Sequence, residues 1–164
     1  IDRVSERPEA DASRIVLAGW SHGAWSIMDL LSYDLDAETP PGLKTVSASA
    51  LDGVEAVYLT YPFCGFPART AKRGWARAIP TQVLLAGADE TADVGKCREA
   101  FAKAEESGAD IEIEMFEGVT HAFDEQHHVE GAKARYDAEA AERAFTRFAD
   151  FLAEQKAGDP DPLD

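Results

Sequence analysis

The sequence predicts an α/β fold in which a mostly parallel sheet is flanked by helices. Short apolar segments alternate along the chain with longer amphipathic segments of helical period. Most of the apolar segments are nearly continuous, which is typical of strands that helices cover on both faces of a parallel sheet. Because parallel strands end at the same edge of their sheet, residues that directly follow the strands are expected to meet there.

The first part of the chain predicts two strands with a helix between them. Residues 14–18 are apolar on both faces and predict a strand, and residues 22–32 carry apolar side chains at helical spacing. The polar residues 33–53 include Pro40-Pro41-Gly42 and predict a long loop. The next apolar run, residues 54–60, predicts the second strand.

The second part predicts two further strands and two helices. Residues 81–86 predict a third strand, and residues 94–106 predict a helix that Gly108 ends. Residues 111–116 alternate apolar and acidic side chains, so this strand is expected at the edge of the sheet. Residues 136–155 predict a long amphipathic helix. The sequence also predicts the end of a helix over residues 1–9, a short helix over residues 68–78 and a loop over residues 118–131.

Composition limits the possible partners. The chain of 164 residues has 16 Lys and Arg against 31 Asp and Glu, a net charge of −15. This charge repels nucleic acid and anionic membrane surfaces, and no apolar run is long enough to span a membrane. We therefore expect one domain over residues 1–157, a flexible tail at 158–164, and no nucleic-acid or membrane partner. A cytoplasmic location is favoured, although a start at Ile1 leaves a leader segment open.

The pentapeptide Gly19-Trp20-Ser21-His22-Gly23 has the pattern G-x-S-x-G. In a nucleophile elbow, this pattern places the serine in a strained turn between a strand and a helix. The pattern is short, but here it lies where a predicted strand gives way to a predicted helix. Small residues on both sides of Ser21 are expected because the strand and helix backbones approach closely.

A serine nucleophile needs a general base, and the four histidines restrict the choice. His121 directly follows the fourth predicted strand and is the expected base. The side chain of His22 should point away from Ser21, but its backbone N–H is placed to stabilise a developing oxyanion. His127 and His128 lie in a polar loop and are expected at the surface.

The third partner is an acid that orients the base. Asp89 directly follows the third predicted strand and is preferred, with Glu90 and Asp93 as alternatives. The resulting order along the chain, serine, acid and histidine, is that of an α/β-hydrolase.

Aromatic and cysteine residues also lie near the predicted strand ends. Trp20, Tyr61 and Phe123 are candidates for lining a substrate pocket. Cys64 and Cys97 lie near the carboxyl ends of neighbouring strands, so both free thiols and one disulfide are compatible with the sequence.

Taken in chain order, these segments resemble the dienelactone hydrolase family of α/β-hydrolases. The resemblance rests on the elbow, on Tyr61-Pro62-Phe63-Cys64-Gly65, on Gly87-Ala88-Asp89, on His121-Ala122-Phe123 and on Tyr136-Asp137-Ala138-Glu139-Ala140-Ala141. The His-Ala-Phe signature is its most specific part. Dienelactone hydrolases proper use a cysteine where this chain has Ser21, so the resemblance implies a serine esterase-like relative rather than the lactone substrate.

The family fold has strands before the elbow strand, and a loop among them supplies a second oxyanion donor. The resemblance therefore implies the C-terminal portion of a single hydrolase domain, with about four strands present and the N-terminal strands missing. The first strand is then expected to form an uncovered edge of the sheet.

The resemblance and the candidate residues together predict a serine hydrolase for a small-molecule carboxylic ester, thioester or lactone. Ser21 would form an acyl-enzyme intermediate, His121 would transfer the proton and Asp89 would orient His121, with no metal or organic cofactor. The alternative is a non-catalytic or truncated module with a binding or interaction role. A peptidase or acyltransferase with the same triad also stays open, as does the oligomeric state.

Overall fold

A computed structural model describes residues 6–46, 48–128 and 132–157. Four strands of this part of the chain form one sheet, and all neighbouring strands are parallel. In chain order and in spatial order the strands are β1 (Ile15–Trp20), β2 (Val54–Thr60), β3 (Thr81–Ala86) and β4 (Ile111–Phe116). The helices are α1 (His22–Leu31), α2 (Val94–Glu106) and α3 (Ala138–Ala157), with a short 3-10 turn at Ala48–Leu51. The predicted α/β architecture is confirmed.

Helices cover both faces of the sheet, as the apolar strands predicted. Val57 and Leu59 of β2 pack in one core with α1 and α2. Ala56 and Tyr58 of the same strand point to the opposite face and pack in a second core with α3. The alternation along β2 thus assigns successive side chains to two different cores, because neighbouring strand residues face opposite sides.

The outer strands differ from the buried pair β2 and β3. Glu112 of β4 is exposed at the edge, where its carboxylate pairs with Arg147 of α3 at 3.1 Å. β1 forms the other end of the described sheet, and most of its side chains are partly exposed. Among the described residues, no helix has the length and apolar character needed to cross a membrane.

The short helix predicted over residues 68–78 is wrong, because the structure forms successive turns there. The backbone N–H groups of Lys72 and Arg73 both donate to the carbonyl of Arg69. Gly74 then passes so close to the end of α2 that a Cβ atom would lie 2.7 Å from the carbonyl oxygen of Lys103. This close passage keeps the segment against α2 and prevents a further helical turn.

The remaining differences concern the ends of elements. Residues 6–9 form turns rather than the end of a helix, and residues 1–5 lie outside the described part of the chain. The last helix begins at Ala138, two residues later than predicted, because Asp137 caps it by accepting a hydrogen bond from the N–H of Ala140 at 3.0 Å. Residues 129–131 of the predicted loop and the predicted tail at 158–164 are also outside the described residues.

Candidate active site

The serine of the G-x-S-x-G pattern lies between β1 and α1. Ser21 has φ 48° and ψ −114°, a conformation that is strained for a residue with a side chain. Its backbone is held from two sides: the N–H donates to the carbonyl of Thr60 at 3.0 Å, and the carbonyl accepts from the N–H of Trp25 at 3.0 Å. The strand, turn and helix that define an elbow are therefore all present.

The two glycines of the elbow have different environments. A Cβ atom on Gly19 would lie 2.7 Å from the backbone nitrogen of Ala24 and 2.8 Å from the carbonyl carbon of Gly23. A Cβ atom on Gly23 would have no atom within 4 Å. The expected close approach of strand and helix is thus right at Gly19 and wrong at Gly23, which is exposed in the first turn of α1.

Three of the predicted side chains form one chain of hydrogen bonds. Ser21 Oγ lies 2.7 Å from His121 Nε2, and His121 Nδ1 lies 2.6 Å from Asp89 Oδ2. The side chains of His121 and Asp89 are 10% and 2% exposed. The three residues follow three different strands, so the parallel topology brings them together across long sequence separations.

The alternatives for the acid have other contacts. Glu90 is exposed and pairs with Lys133 at 3.2 Å. Asp93 caps α2, where its carboxylate accepts a hydrogen bond from the N–H of Lys96 at 3.1 Å. Of the three predicted acids, only Asp89 contacts the imidazole.

The carboxylate of Asp89 is fixed by its own loop. Its second oxygen, Oδ1, accepts hydrogen bonds from the N–H groups of Thr91 at 2.7 Å and Ala92 at 2.8 Å. These bonds fix the carboxylate so that Oδ2 is directed at His121. These bonds could be expected from the sequence, because an aspartate side chain in a turn commonly accepts a hydrogen bond from the backbone N–H two residues later.

The loop that carries His121, residues 118–125, is held by several other segments. The N–H of Ala88 donates to the carbonyl of Val119 at 2.8 Å, which joins this loop to the acid loop. Thr120 Oγ1 accepts from the N–H of Arg135 at 2.8 Å, and the carbonyl of Phe123 accepts from the N–H of Asp137 at 2.8 Å. None of these contacts follows from a local sequence pattern.

The other predicted histidines stand apart from the base. The ring of His22 is exposed and packs edge-on against Trp25, with ring centroids 4.9 Å apart. Its backbone N–H lies in the first turn of α1, where helix N–H groups lack acceptors within the helix and carry partial positive charge. His127 is exposed, as expected, whereas His128 is only partly exposed and its Nε2 is buried without a hydrogen-bond partner among the described residues.

The pocket candidates lie at different depths. Trp20 is 39% exposed and lines a cavity of about 300 Å³ beside α3. Thr60 lines the same cavity, and its buried hydroxyl has no hydrogen-bond partner within the described residues. Phe123 is fully buried and stacks on Phe116, so the structure places it in the core rather than on an accessible wall.

Tyr61 is also buried, but it has a polar partner. Only 3% of the residue is exposed, and its hydroxyl donates to Asp124 Oδ1 at 2.6 Å. Burial and this hydrogen bond raise the pKa of the Tyr61 hydroxyl above its ordinary value. The tyrosine therefore stays a protonated donor throughout the neutral range.

Cys64 and Cys97 form a disulfide, which the sequence had left open. Cys64 lies in the segment after β2, and Cys97 lies in the first turn of α2, which follows the Asp89 loop. The bond thus joins two of the segments that approach the site. No group of three or more potential metal ligands is found among the residues that the structure describes.

The model of the dienelactone hydrolase family matches residues 42–156. The chain belongs to this family. The matched region contains Asp89 and His121 and begins after Ser21. No curated protein matches the chain.

Solved structures share the fold at low sequence identity. A thermophilic esterase from Thermogutta terrifontis, with propionate bound, matches at 19% identity and a TM-score of 0.58, over 88% of this chain and 57% of the esterase. A carboxylesterase from Lactobacillus plantarum matches at 19% identity and a TM-score of 0.60, over 98% of this chain and 66% of that chain. A dipeptidyl peptidase 4 from Porphyromonas gingivalis matches at 12% identity and a TM-score of 0.60, over 90% of this chain and 20% of the peptidase.

The present chain therefore spans less than two thirds of each of these relatives. Esterases and a peptidase share this fold, so the fold by itself does not define the bond that is cleaved. The side chains of the site, rather than the fold, determine the reaction.

Proposed function

We propose that the protein is a serine hydrolase that cleaves small carboxylic esters through an acyl-enzyme intermediate. The observation that carries this proposal is the continuous hydrogen-bonded chain from Ser21 through His121 to Asp89. A serine hydroxyl is a weak nucleophile at neutral pH, and such a chain is the arrangement that activates it. Membership of the dienelactone hydrolase family and the esterase neighbours support the same reaction class.

In the proposed first half-reaction, Ser21 Oγ attacks the ester carbonyl carbon while its proton passes to His121 Nε2. The carbon–oxygen bond to the alcohol then breaks, and His121 returns the proton to the leaving alkoxide. Asp89 accepts the hydrogen bond from Nδ1–H, which holds the required tautomer and stabilises the transient imidazolium. The backbone N–H of His22 is placed to donate to the tetrahedral oxyanion.

In the second half-reaction, water takes the place of the serine hydroxyl. It attacks the acyl carbon of the ester formed with Ser21 while its proton passes to His121. The bond to Ser21 Oγ then breaks, Ser21 recovers its proton and the carboxylic acid leaves. No residue changes its net protonation over the full cycle, so turnover requires only water.

The proposed substrates are small esters, with thioesters and lactones as chemically related alternatives. The leaving group of an ester is an alkoxide, which His121 can protonate. The leaving group of an amide is an amine, whose nitrogen must be protonated before the bond can break. We therefore expect hydrolysis of p-nitrophenyl acetate and much weaker cleavage of the matching p-nitroanilide.

The first prediction concerns the nucleophile in the full-length protein. A fluorophosphonate probe is expected to label Ser21, because it reacts with activated serines, and peptide mapping identifies the modified residue. Both Ser21→Ala and His121→Ala are expected to abolish labelling and to lower kcat for p-nitrophenyl acetate by about 10⁴-fold or more.

The control for this experiment is Ser26→Ala, which removes an exposed serine of α1 without touching the hydrogen-bonded chain. This variant is expected to keep full labelling and turnover. A folded wild-type protein that is not labelled, or a Ser21→Ala variant that keeps its turnover, would contradict the proposed function and favour a non-catalytic module.

A further inference from the structure

We propose that Tyr61 is a positioning residue for His121, and that its hydrogen bond to Asp124 holds it in this role. The inference rests on the proposed function, because it concerns the base of that same site. Tyr61 does not bond to either imidazole nitrogen. Its contact with His121 is instead made by the aromatic ring, whose centroid lies 4.8 Å from the imidazole centroid at an interplanar angle of 59°.

The two hydrogen bonds of His121 leave one kind of motion poorly restrained. Both nitrogens are engaged in the ring plane, with Ser21 on one side and Asp89 on the other. Tilting of the imidazole about the line through these partners changes both distances only slightly. A side chain in contact with the ring opposes that tilt, and the ring of Tyr61 makes such a contact, tilted by 59° relative to the imidazole.

Tyr61 is itself held at both of its ends. Its backbone N–H donates to the carbonyl of Leu84 at 2.8 Å, which anchors the residue where β2 and β3 end. Its hydroxyl donates to Asp124 at 2.6 Å, and Asp124 belongs to the same loop as His121. The side chain of Tyr61 thus contacts the loop at two points, through its ring and through its hydroxyl. These contacts connect the end of β2 to His121.

The strained backbone conformations also lie around His121. Among the described residues, the non-glycine residues with positive φ are Ser21, Tyr61 and Ala122, with φ of 48°, 37° and 51°. Ser21 bonds to His121, Ala122 follows it and Tyr61 packs on its ring. Such conformations are energetically unfavourable and persist where surrounding contacts enforce them. The strain at Tyr61 is thus explained if its ring must reach the imidazole.

Because Tyr61 is buried, water does not compete with Asp124 for the hydrogen bond from its hydroxyl. The residue is 3% exposed, and its other ring neighbour is the buried Phe123 at 5.5 Å. The raised pKa of its hydroxyl keeps the proton available to Asp124. In its burial Tyr61 differs from Trp20, which is 39% exposed.

The test compares variants that remove the ring with variants that remove only the hydrogen bond. Tyr61→Leu is expected to lower kcat for p-nitrophenyl acetate by about 10- to 100-fold, as small misplacements of a catalytic group do. Tyr61→Phe keeps the ring and is expected to lose about 3- to 10-fold in kcat, with KM within about twofold of the wild type in both variants. The partial rescue by phenylalanine distinguishes positioning from general packing.

The partner is tested by a double-mutant cycle. Asp124→Ala is expected to match Tyr61→Phe, and the variant that combines both changes is expected to lose little more than either alone, because each removes the same bond. The control is Trp75→Phe, which removes a buried side-chain hydrogen bond to Thr70 in the other core and should leave kcat unchanged.

A second readout does not require turnover. The proton shared by His121 Nδ1 and Asp89 is expected to give a low-field NMR signal that broadens or disappears in Tyr61→Leu and persists in Trp75→Phe. An unchanged signal and kcat in folded Tyr61→Leu would overturn the proposal, and so would a raised KM with unchanged kcat. Failure of the wild type to hydrolyse esters would instead contradict the proposed function, while the NMR comparison would still decide the role of Tyr61.

Discussion

The nucleophile elbow and the loop that carries His121 meet at one hydrogen bond, yet they are held in place by different means. Ser21 is positioned by the backbone around it: β1 leads into it, α1 begins after it, and the adjacent end of β2 accepts its N–H. His121 sits in a loop without regular structure, where contacts from distant segments position the imidazole.

This difference predicts that the elbow and the histidine loop respond differently to mutation. The elbow depends on steric room at a few neighbouring residues, so its weak point is Gly19. The histidine loop depends on side-chain and backbone bonds to the segments after β2 and β3 and before α3, so it can be loosened from several directions without any change to the elbow. Three variants test this contrast.

The largest effect is expected on removal of the disulfide between Cys64 and Cys97. The bond closes a loop with a sequence separation of 33 residues, and loss of that constraint is expected to lower the free energy of unfolding by about 2–4 kcal/mol. The measurement is urea unfolding of the variant that carries both Cys64→Ala and Cys97→Ala. Because the bond joins the segment after Tyr61 to the helix after Asp89, activity should fall while the elbow stays intact.

The control for this variant is a reductant. Dithiothreitol present throughout unfolding should bring the wild type close to the stability of the double variant and should leave the variant unchanged. A double variant as stable as the oxidised wild type would show that the bond does not brace these segments.

The next effect is expected at the elbow. Gly19→Ala places a methyl group against the backbone of α1 and is expected to lower the free energy of unfolding by about 1–3 kcal/mol. Gly23→Ala is the matched control, because its methyl group meets open space and alanine favours a helix more than glycine does. Thermal unfolding of the two variants measures the difference. Equal destabilisation by both would contradict the steric account of the elbow.

The same contrast explains how much could be predicted from the sequence. The order of strands and helices, the elbow and the three triad candidates were predictable because each rests on a local pattern and on the shared edge of a parallel sheet. Asp89 was preferred over Glu90 and Asp93 for its position directly after β3, and its contact with His121 agrees with that position. The pattern could not reveal that Gly23 has room beside it.

Long-range contacts explain what the sequence did not reveal. The turns over residues 68–78 follow from the close passage of Gly74 along α2, which no local propensity encodes. Phe123 was one of the aromatic pocket candidates, but it is fully buried and stacks on Phe116 in the core. The bond between Tyr61 and Asp124 spans 63 residues and has no sequence signature of its own.

The smallest effect is expected at Thr120, next to the base. Thr120→Val preserves the shape of the side chain but leaves the N–H of Arg135 without its acceptor, which is expected to cost about 1 kcal/mol of unfolding free energy. The control is Thr146→Val, which changes an exposed threonine of α3. Urea unfolding of both variants provides the comparison, and kcat should decrease only in Thr120→Val, since only this change lies in the loop that carries His121. Equal behaviour of the two variants would mean that the bond to Arg135 does not hold the loop, and that its remaining contacts are sufficient to place the imidazole.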